Sequence, residues 1–178
     1  MSSKSKKFHK GGDYSGMNNA ERNTYVKRQL TAALLELLKE KELRDISVSE
    51  IACAAGVHRV SFYRSFHEKE DILQDYMNAT YEEWERQRAP SQDNAAGLFA
   101  YMAQNGPFYL LLHRRGLFSL FKNVLLAHMG PRPEFSNHMA YATAFLAHGI
   151  YGWIAEWVAR GMQESPEEMA ALLANQVT

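Results

Sequence analysis

Residues 47–66 constrain this chain more than any other stretch. Ser47 with Glu50 spells S-x-x-E, the reciprocal cap that starts a helix. Val48, Ile51, Ala52 and Ala55 then recur at helical spacing. Gly56 ends that helix, because glycine enters the left-handed turn without a Cβ penalty. Val57 tucks into the turn, and a second helix runs from about His58. On it Phe62 and Phe66 lie four apart and face one way, while Arg59, Ser61, Tyr63 and Arg64 are left to face outward. Two short helices joined by a glycine turn, the second one polar, form a unit able to enter the major groove of DNA.

The surrounding sequence supplies a core for this pair. From Asn23 to Lys41, Tyr25, Val26, Leu30, Ala33, Leu34, Leu37 and Leu38 make one apolar stripe. Leu43 and Ile46 continue into the capped helix. Three helices with a shared core therefore occupy residues 22–66. Residues 1–20 are rich in Ser, Lys and Gly, which predicts a disordered basic tail. Such an arm can lie on DNA phosphates or serve only as a solubilising tail. His67-Glu68-Lys69-Glu70 opens the next helix, which carries Ile72, Leu73, Tyr76, Met77, Tyr81 and Trp84 and stops before Pro90. Ser91–Asn94 reads as a loop.

The chain has 178 residues, enough for one domain or two small ones, and a formal net charge of zero. The charge is uneven. Residues 1–72 hold 13 Lys/Arg and 10 Asp/Glu, a net of +3, and residues 73–178 hold 7 and 10, a net of −3. Positive charge travels with the helix pair, as a DNA footprint requires. A single cysteine, Cys53, excludes an internal disulfide and reads as a small buried side chain. His113, His128, His138 and His148 lack metal-ligand spacing, so neither metal nor cofactor is expected. An apolar leader is absent from the first residues, which points to the cytoplasm.

Beyond residue 94 aromatics, Met, His and Gly become dense. Helices are predicted over 95–105, from Pro107, over 116–128, over 135–160 and from Ser165-Pro166-Glu167-Glu168 to about Asn175. No strand pattern appears, so the fold class is all-α. Tyr141 to Ala159 holds one formal charge, Glu156. A membrane span competes here, but His148, Glu156 and the nearby glycines fit it poorly. An apolar helix outside a membrane is buried on every side, by its own domain and by a second subunit.

The run Ile46-Ser47-Val48-Ser49-Glu50-Ile51-Ala52, then Ala55-Gly56-Val57, Ser61-Phe62-Tyr63, Phe66, Lys69-Glu70 and Leu73, resembles the N-terminal domain of tetracycline-repressor (TetR-like) transcription regulators. The resemblance covers about residues 22–73. Trp153, Trp157 and Gly161-Met162 followed by Glu164-Ser165-Pro166-Glu167-Glu168-Met169 is also similar to the end of one branch of that family, which includes regulators found with dihydroxyacetone kinase genes. The resemblance implies a helix-turn-helix DNA-binding domain over residues 21–68 and a helical ligand-binding and dimerisation domain over 69–178. It further implies a homodimer on a palindromic operator, with a small molecule in the C-terminal domain resetting the two DNA heads, and repression as the commoner outcome.

Residue roles follow from both sources. Arg59 is the expected base reader, since an early Arg in a recognition helix can bond guanine O6 and N7 together. His58, Val60, Ser61 and Arg64 flank it. Val60 suits a thymine methyl, His58 can instead cap its helix, and Arg64 can take a phosphate. The resemblance makes Tyr63 a phosphate ligand through its hydroxyl, against the alternative of a core tyrosine, and makes Lys69 a phosphate-binding lysine. Ser47, Val48 and Ser49 put hydroxyls and free N–H groups at a helix start, which suits phosphate, although capping alone explains Ser47. Candidate ligand contacts are Tyr76, Trp84, Tyr101, Phe108, Phe118, Phe121, His148 and Tyr151, each of which can equally be core. Candidate dimer contacts are Gly149, Ile150, Gly152, Trp153 and Trp157, on the long helix.

The competing functions are few. No nucleophile elbow, phosphate loop or paired His-carboxylate motif is present, so an enzyme is disfavoured. The other alternative is a DNA-binding regulator whose C-terminal domain takes a protein partner in place of a metabolite. A closed aromatic cavity would favour the metabolite, and a filled core with an exposed apolar patch the protein.

Overall fold

The computed structural model of the chain describes residues 18–88 and 94–175. The expected tail up to residue 17, and residues 91–93 of the expected loop, lie outside them. Among the described residues the fold is all-helical, with nine α-helices, one 3-10 turn and no strand. Residues up to Leu73 make one compact unit and residues from Gln74 make another.

In the first unit α1 (Asn19–Glu40) starts earlier than the apolar stripe does, because Asn18 and Glu21 cap it reciprocally. The α1 stripe buries Val26, Leu30, Ala33, Leu34 and Leu38. A 3-10 turn (Leu43–Asp45) sinks Leu43 and leads to α2 (Val48–Ala54) and α3 (Arg59–Ser65). The three helices pack pairwise around Ile51, Ala52, Phe62 and Phe66. Cys53 departs from its expected burial: it is exposed. The reason is position, since α2 turns Ile51, Ala52 and Ala55 inward and leaves residue 53 on the far side. Helix α4 (Lys69–Gln87) opens where Asp71 Oδ2 accepts the backbone N–H groups of His67 and Glu68, at 2.8 and 2.9 Å.

The second unit holds most of α4 and α5 (Asn94–Gln104), α6 (Gly106–Arg114), α7 (Leu120–Met129), α8 (Asn137–Ala159) and α9 (Pro166–Ala174). Helix α5 packs on α9, and α8 packs on α6 and α7. Phe99, Tyr109, Leu112, Phe121, Val124, Ile154 and Trp157 form the centre. Helix α7 begins four residues later than its predicted start at 116. Gly116 takes φ +68° and the Leu117 N–H turns back to Leu112 O, which closes α6 and spends the intervening residues on a turn. Ser165 and Glu168 cap α9 reciprocally, with Pro166 in its first turn.

Helix α8 is covered by its own chain along one side only. Within one subunit Ala147, Ile154, Trp157 and Val158 are buried, while Tyr141, Phe145 and Leu146 are exposed. No helix among the described residues is long and apolar enough to cross a membrane.

Candidate nucleic-acid interface

The turn between α2 and α3 is built as the sequence predicts. The Val57 N–H donates to Ala52 O at 3.0 Å, and Gly56 sits at φ +65°. A Cβ on Gly56 would meet nothing within 4 Å, so backbone conformation and not space requires the glycine. Phe62 is fully buried and Phe66 nearly so, and their rings meet 6.1 Å apart. Anchoring these two residues rotates the rest of α3 outward.

That outward face carries Arg59, Val60, Tyr63 and Arg64, all exposed. Val60 is 61% exposed and Tyr63 49%, so Tyr63 is not a core tyrosine. The Tyr63 ring leans edge-on against Phe62 while its hydroxyl stays at the surface. Arg59 Nη2 donates to that hydroxyl at 2.9 Å, and the guanidinium lies 5.4 Å from the ring centre. Arg59 and Tyr63 are therefore held together as one patch. His58 is the N-cap of α3 but makes no side-chain capping bond, which leaves its ring on the surface. Ser61 is half-buried and looks toward α1.

Beside α3 a polar cleft of about 350 Å³ is lined by Asn19, Arg22, Asn23, Ser61, Arg64 and Ser65, with Val26 at its base. The Ser65 hydroxyl bonds Asn23 Oδ1 across it at 3.1 Å, joining residues 42 apart in sequence. Sequence reasoning missed Arg22 and Asn23 as neighbours of the recognition helix. Their place near the start of α1 carries no local sign of α3, because helix packing alone sets that neighbourhood.

Two expected phosphate ligands prove to be engaged inside the unit. The Ser47 hydroxyl accepts the Glu50 N–H at 3.1 Å, and the Glu50 carboxylate accepts the Ser47 N–H at 3.0 Å. Lys41 donates to the same carboxylate at 2.5 Å. The Lys41 bond and then those from Ser47 hold the Glu50 carboxyl down at about 2. The cap is thus complete at neutral pH and is lost only as pH falls below the ordinary carboxylate range toward 2. Ser49 is exposed beside it and Val48 is half-buried. Lys69 Nζ donates to the carbonyls of Leu43 and Ile46, at 2.5 and 2.7 Å. The lysine read as a phosphate ligand ties the start of α4 to the turn that precedes α2.

In the second unit the ligand candidates pack on one another. Tyr76 meets Phe108 edge-on at 5.0 Å, Trp84 lies 5.8 Å from Tyr101, and Tyr151 stacks on Phe118 at 6.1 Å. Phe118 and Phe121 both contact Tyr109. The Tyr101 hydroxyl donates to Thr80 Oγ1 at 2.7 Å and accepts from the Tyr109 hydroxyl at 3.2 Å. Burial raises both phenols, Tyr109 the more strongly. His148 does not join this cluster; it is exposed and bonds Ala144 O within its own helix.

The dimer candidates divide as well. Gly149 and Gly152 are exposed, Ile150 and Trp153 are half-buried, and Trp157 is buried in its own chain. Its indole N–H reaches Glu164 O at 3.2 Å and its ring meets Phe99 edge-on. Trp157 is therefore a core residue and not an interface anchor. Among the described residues no group of three or more His, Cys, Asp or Glu side chains is set to hold a metal ion.

Comparison with known proteins completes the assignment. Residues 30–76 match the model described as "Bacterial regulatory proteins, tetR family". Residues 91–178 match "Transcriptional regulator C-terminal region", a tetR-type region. No curated protein matches the sequence. Among solved structures the chain is similar to "Dihydroxyacetone kinase operon activator DhaS", with a TM-score of 0.53 at 19% identity over 85% of this chain and 93% of that one. At this identity the likeness is one of fold. The first match contains the helix-turn-helix with its polar outward face, and with the second it places this chain in the tetR family as a DNA-binding transcription regulator and not an enzyme.

Proposed function

We propose that the protein works as a homodimeric repressor in the cytoplasm, each subunit setting α3 into one half-site of a palindromic operator. The observation that carries this reading is the outward strip of α3, where Arg59, Val60, Tyr63 and Arg64 stand exposed above a buried Phe62. Arg59 reads a base edge, Val60 meets a thymine methyl, and Tyr63 and Arg64 take phosphates. The exposed His58 and Ser49 and the half-buried Ser61 complete the contact set. A small molecule acting on the C-terminal unit sets the release of DNA.

A second reading for the effector is favoured by one observation. Seven of the eight aromatic or histidine candidates pack ring on ring or are buried in the centre. Rings packed on one another suit a protein effector bound at the surface. Titrating metabolite pools into operator-bound protein separates the two, since only the first reading lets small molecules alone release DNA.

Selection from a random duplex pool tests the main reading. A palindrome should emerge, with half-sites about one helical turn apart or a multiple of it. Arg59→Ala should then cost about 1–3 kcal/mol at one base position and relax the preference there. Weak, sequence-independent binding by the unaltered protein would sink the reading. A reporter driven through the selected operator should rise when the protein is removed, and a fall would make it an activator.

A further inference from the structure

Two polar helix faces meet across the cleft beside α3. On α1 it takes Asn19, Arg22 and Asn23, spaced as i, i+3 and i+4, and on α3 it takes Ser61, Arg64 and Ser65 at the same spacing. The bond between Ser65 and Asn23, 3.1 Å long, ties the two faces together and holds Arg22 and Arg64 at one opening. Among the described residues no carboxylate lines the cleft. Glu21, the acid of the first turn of α1, is turned to the cap, where it accepts the Asn18 N–H at 2.9 Å. The positive end of the α1 helix dipole lies at the same opening. A volume of about 350 Å³ holds a small anion together with several waters of roughly 30 Å³ each. The tetR match begins at residue 30, so the α1 half of the cleft lies ahead of it.

We propose that this cleft is a phosphate site, in which Arg22 of α1 and Arg64 of α3 close on one phosphate of the DNA backbone beside each half-site. Two guanidiniums at one opening repel each other until an anion sits between them. A phosphate diester suits the place, because its two unesterified oxygens match two guanidinium forks. Arg64 belongs both to the outward strip of α3 and to the cleft, so a backbone strand crossing the strip reaches the cleft's mouth. The contact carries no base information, since every phosphate is alike; it sets affinity and register. This proposal rests on the half-site reading of α3 and gives the early start of α1 a part in it.

Salt dependence and a phosphate scan test it, on the duplex that selection from a random pool yields. Arg22→Met keeps a good helix former at an exposed position, so helicity by circular dichroism should be unchanged. The variant should weaken every duplex alike and lower the salt slope by about one per subunit, with the selected sequence unaltered. Lys39→Met, about 25 Å further along α1, controls for net charge and should leave the slope near that of the unaltered protein. In the scan each phosphate is replaced singly by a neutral methylphosphonate. One position per half-site should cost the unaltered protein about tenfold in affinity and Arg22→Met less than about twofold, because its partner is already gone. An unchanged slope and scan in Arg22→Met would overturn the clamp and leave the half-site reading intact, and so would equal losses in Arg22→Met and Lys39→Met. Inorganic pyrophosphate bound by the DNA-free protein and lost in Arg22→Met, with the DNA scan unchanged, would give the cleft to a soluble phosphate and overturn the backbone as its occupant. An unaltered protein without sequence preference would instead remove the half-site reading beneath the proposal.

Discussion

The two compact units of this protein solve different problems with different residues. The first joins one long helix to two short ones, with ends tied by side chains: Asn18 with Glu21, Ser47 with Glu50, Asp71 on His67 and Glu68, and Lys69 on Leu43 and Ile46. Its helices α2 and α3 have seven residues each, too short to stand alone in water. Caps and one small core must hold them, and that core exists to present a polar face. The second unit is held by rings: Phe99 on Trp157, Tyr109 among Phe108, Phe118 and Phe121, and Tyr151 on Phe118. It leaves apolar surface outward along α8. Capped helices position the polar outward face of α3, while the aromatic unit supplies bulk and leaves apolar side chains of α8 uncovered.

The largest effect should come from Phe62→Ala. Its fully buried ring holds α3 against α1 and α2, and its loss should cost about 3–5 kcal/mol. All three tryptophans, Trp84, Trp153 and Trp157, lie in the second unit. Thermal unfolding followed by helicity should therefore shift down and DNA binding should vanish, while tryptophan fluorescence at moderate temperature keeps its folded signal. Simultaneous loss of the tryptophan signal would break the contrast between the units.

Alkali should act on the second unit. The Tyr101 and Tyr109 phenols are raised by burial, so they favour the neutral form in the folded state. The stability tied to this is fully present below the ordinary phenol value of about 10 and is lost as pH rises above it. A tyrosinate absorbance titration run beside tryptophan fluorescence measures this. The buried pair should ionise only together with loss of the folded tryptophan signal. Smooth ionisation of every tyrosine with the fold intact would contradict the packed aromatic centre.

The smallest effect sharpens one residue's assignment. Lys69→Met removes two charge-assisted bonds to the Leu43 and Ile46 carbonyls, a loss of about 1–3 kcal/mol in the DNA-free protein. Unchanged stability in the free protein, with a salt slope of DNA binding lowered by about one, would return Lys69 to the phosphate contacts.

The legible part of the candidate site was its local part. Gly56, the Ser47–Glu50 cap and the Phe62–Phe66 pair act over a few residues, through backbone conformation and one turn of helix, so their outcome is written in adjacent positions. Cys53, Trp157 and the bonds of Lys69 were illegible for the opposite reason. The side of α2 that Cys53 occupies, the Phe99 ring against Trp157 and the carbonyls that Lys69 reaches are set by elements 20 or more residues away in two of these three cases. Helix α7 began late because a left-handed Gly116 spends residues on a turn, and apolar periodicity does not register such a turn.

The sequence alone determined that the chain is all-helical, that residues 47–66 make a helix-turn-helix, and which two phenylalanines anchor it, because caps, glycine turns and 3.6-residue periodicity are short-range physics. Only the tertiary structure decided that Arg59 and Tyr63 share one patch, that Arg22 and Asn23 stand beside α3, and that α8 buries Trp157 while exposing Tyr141, Phe145 and its two glycines. An apolar helix has no preferred face until other helices pack against it. The side they leave uncovered is what remains for a second molecule.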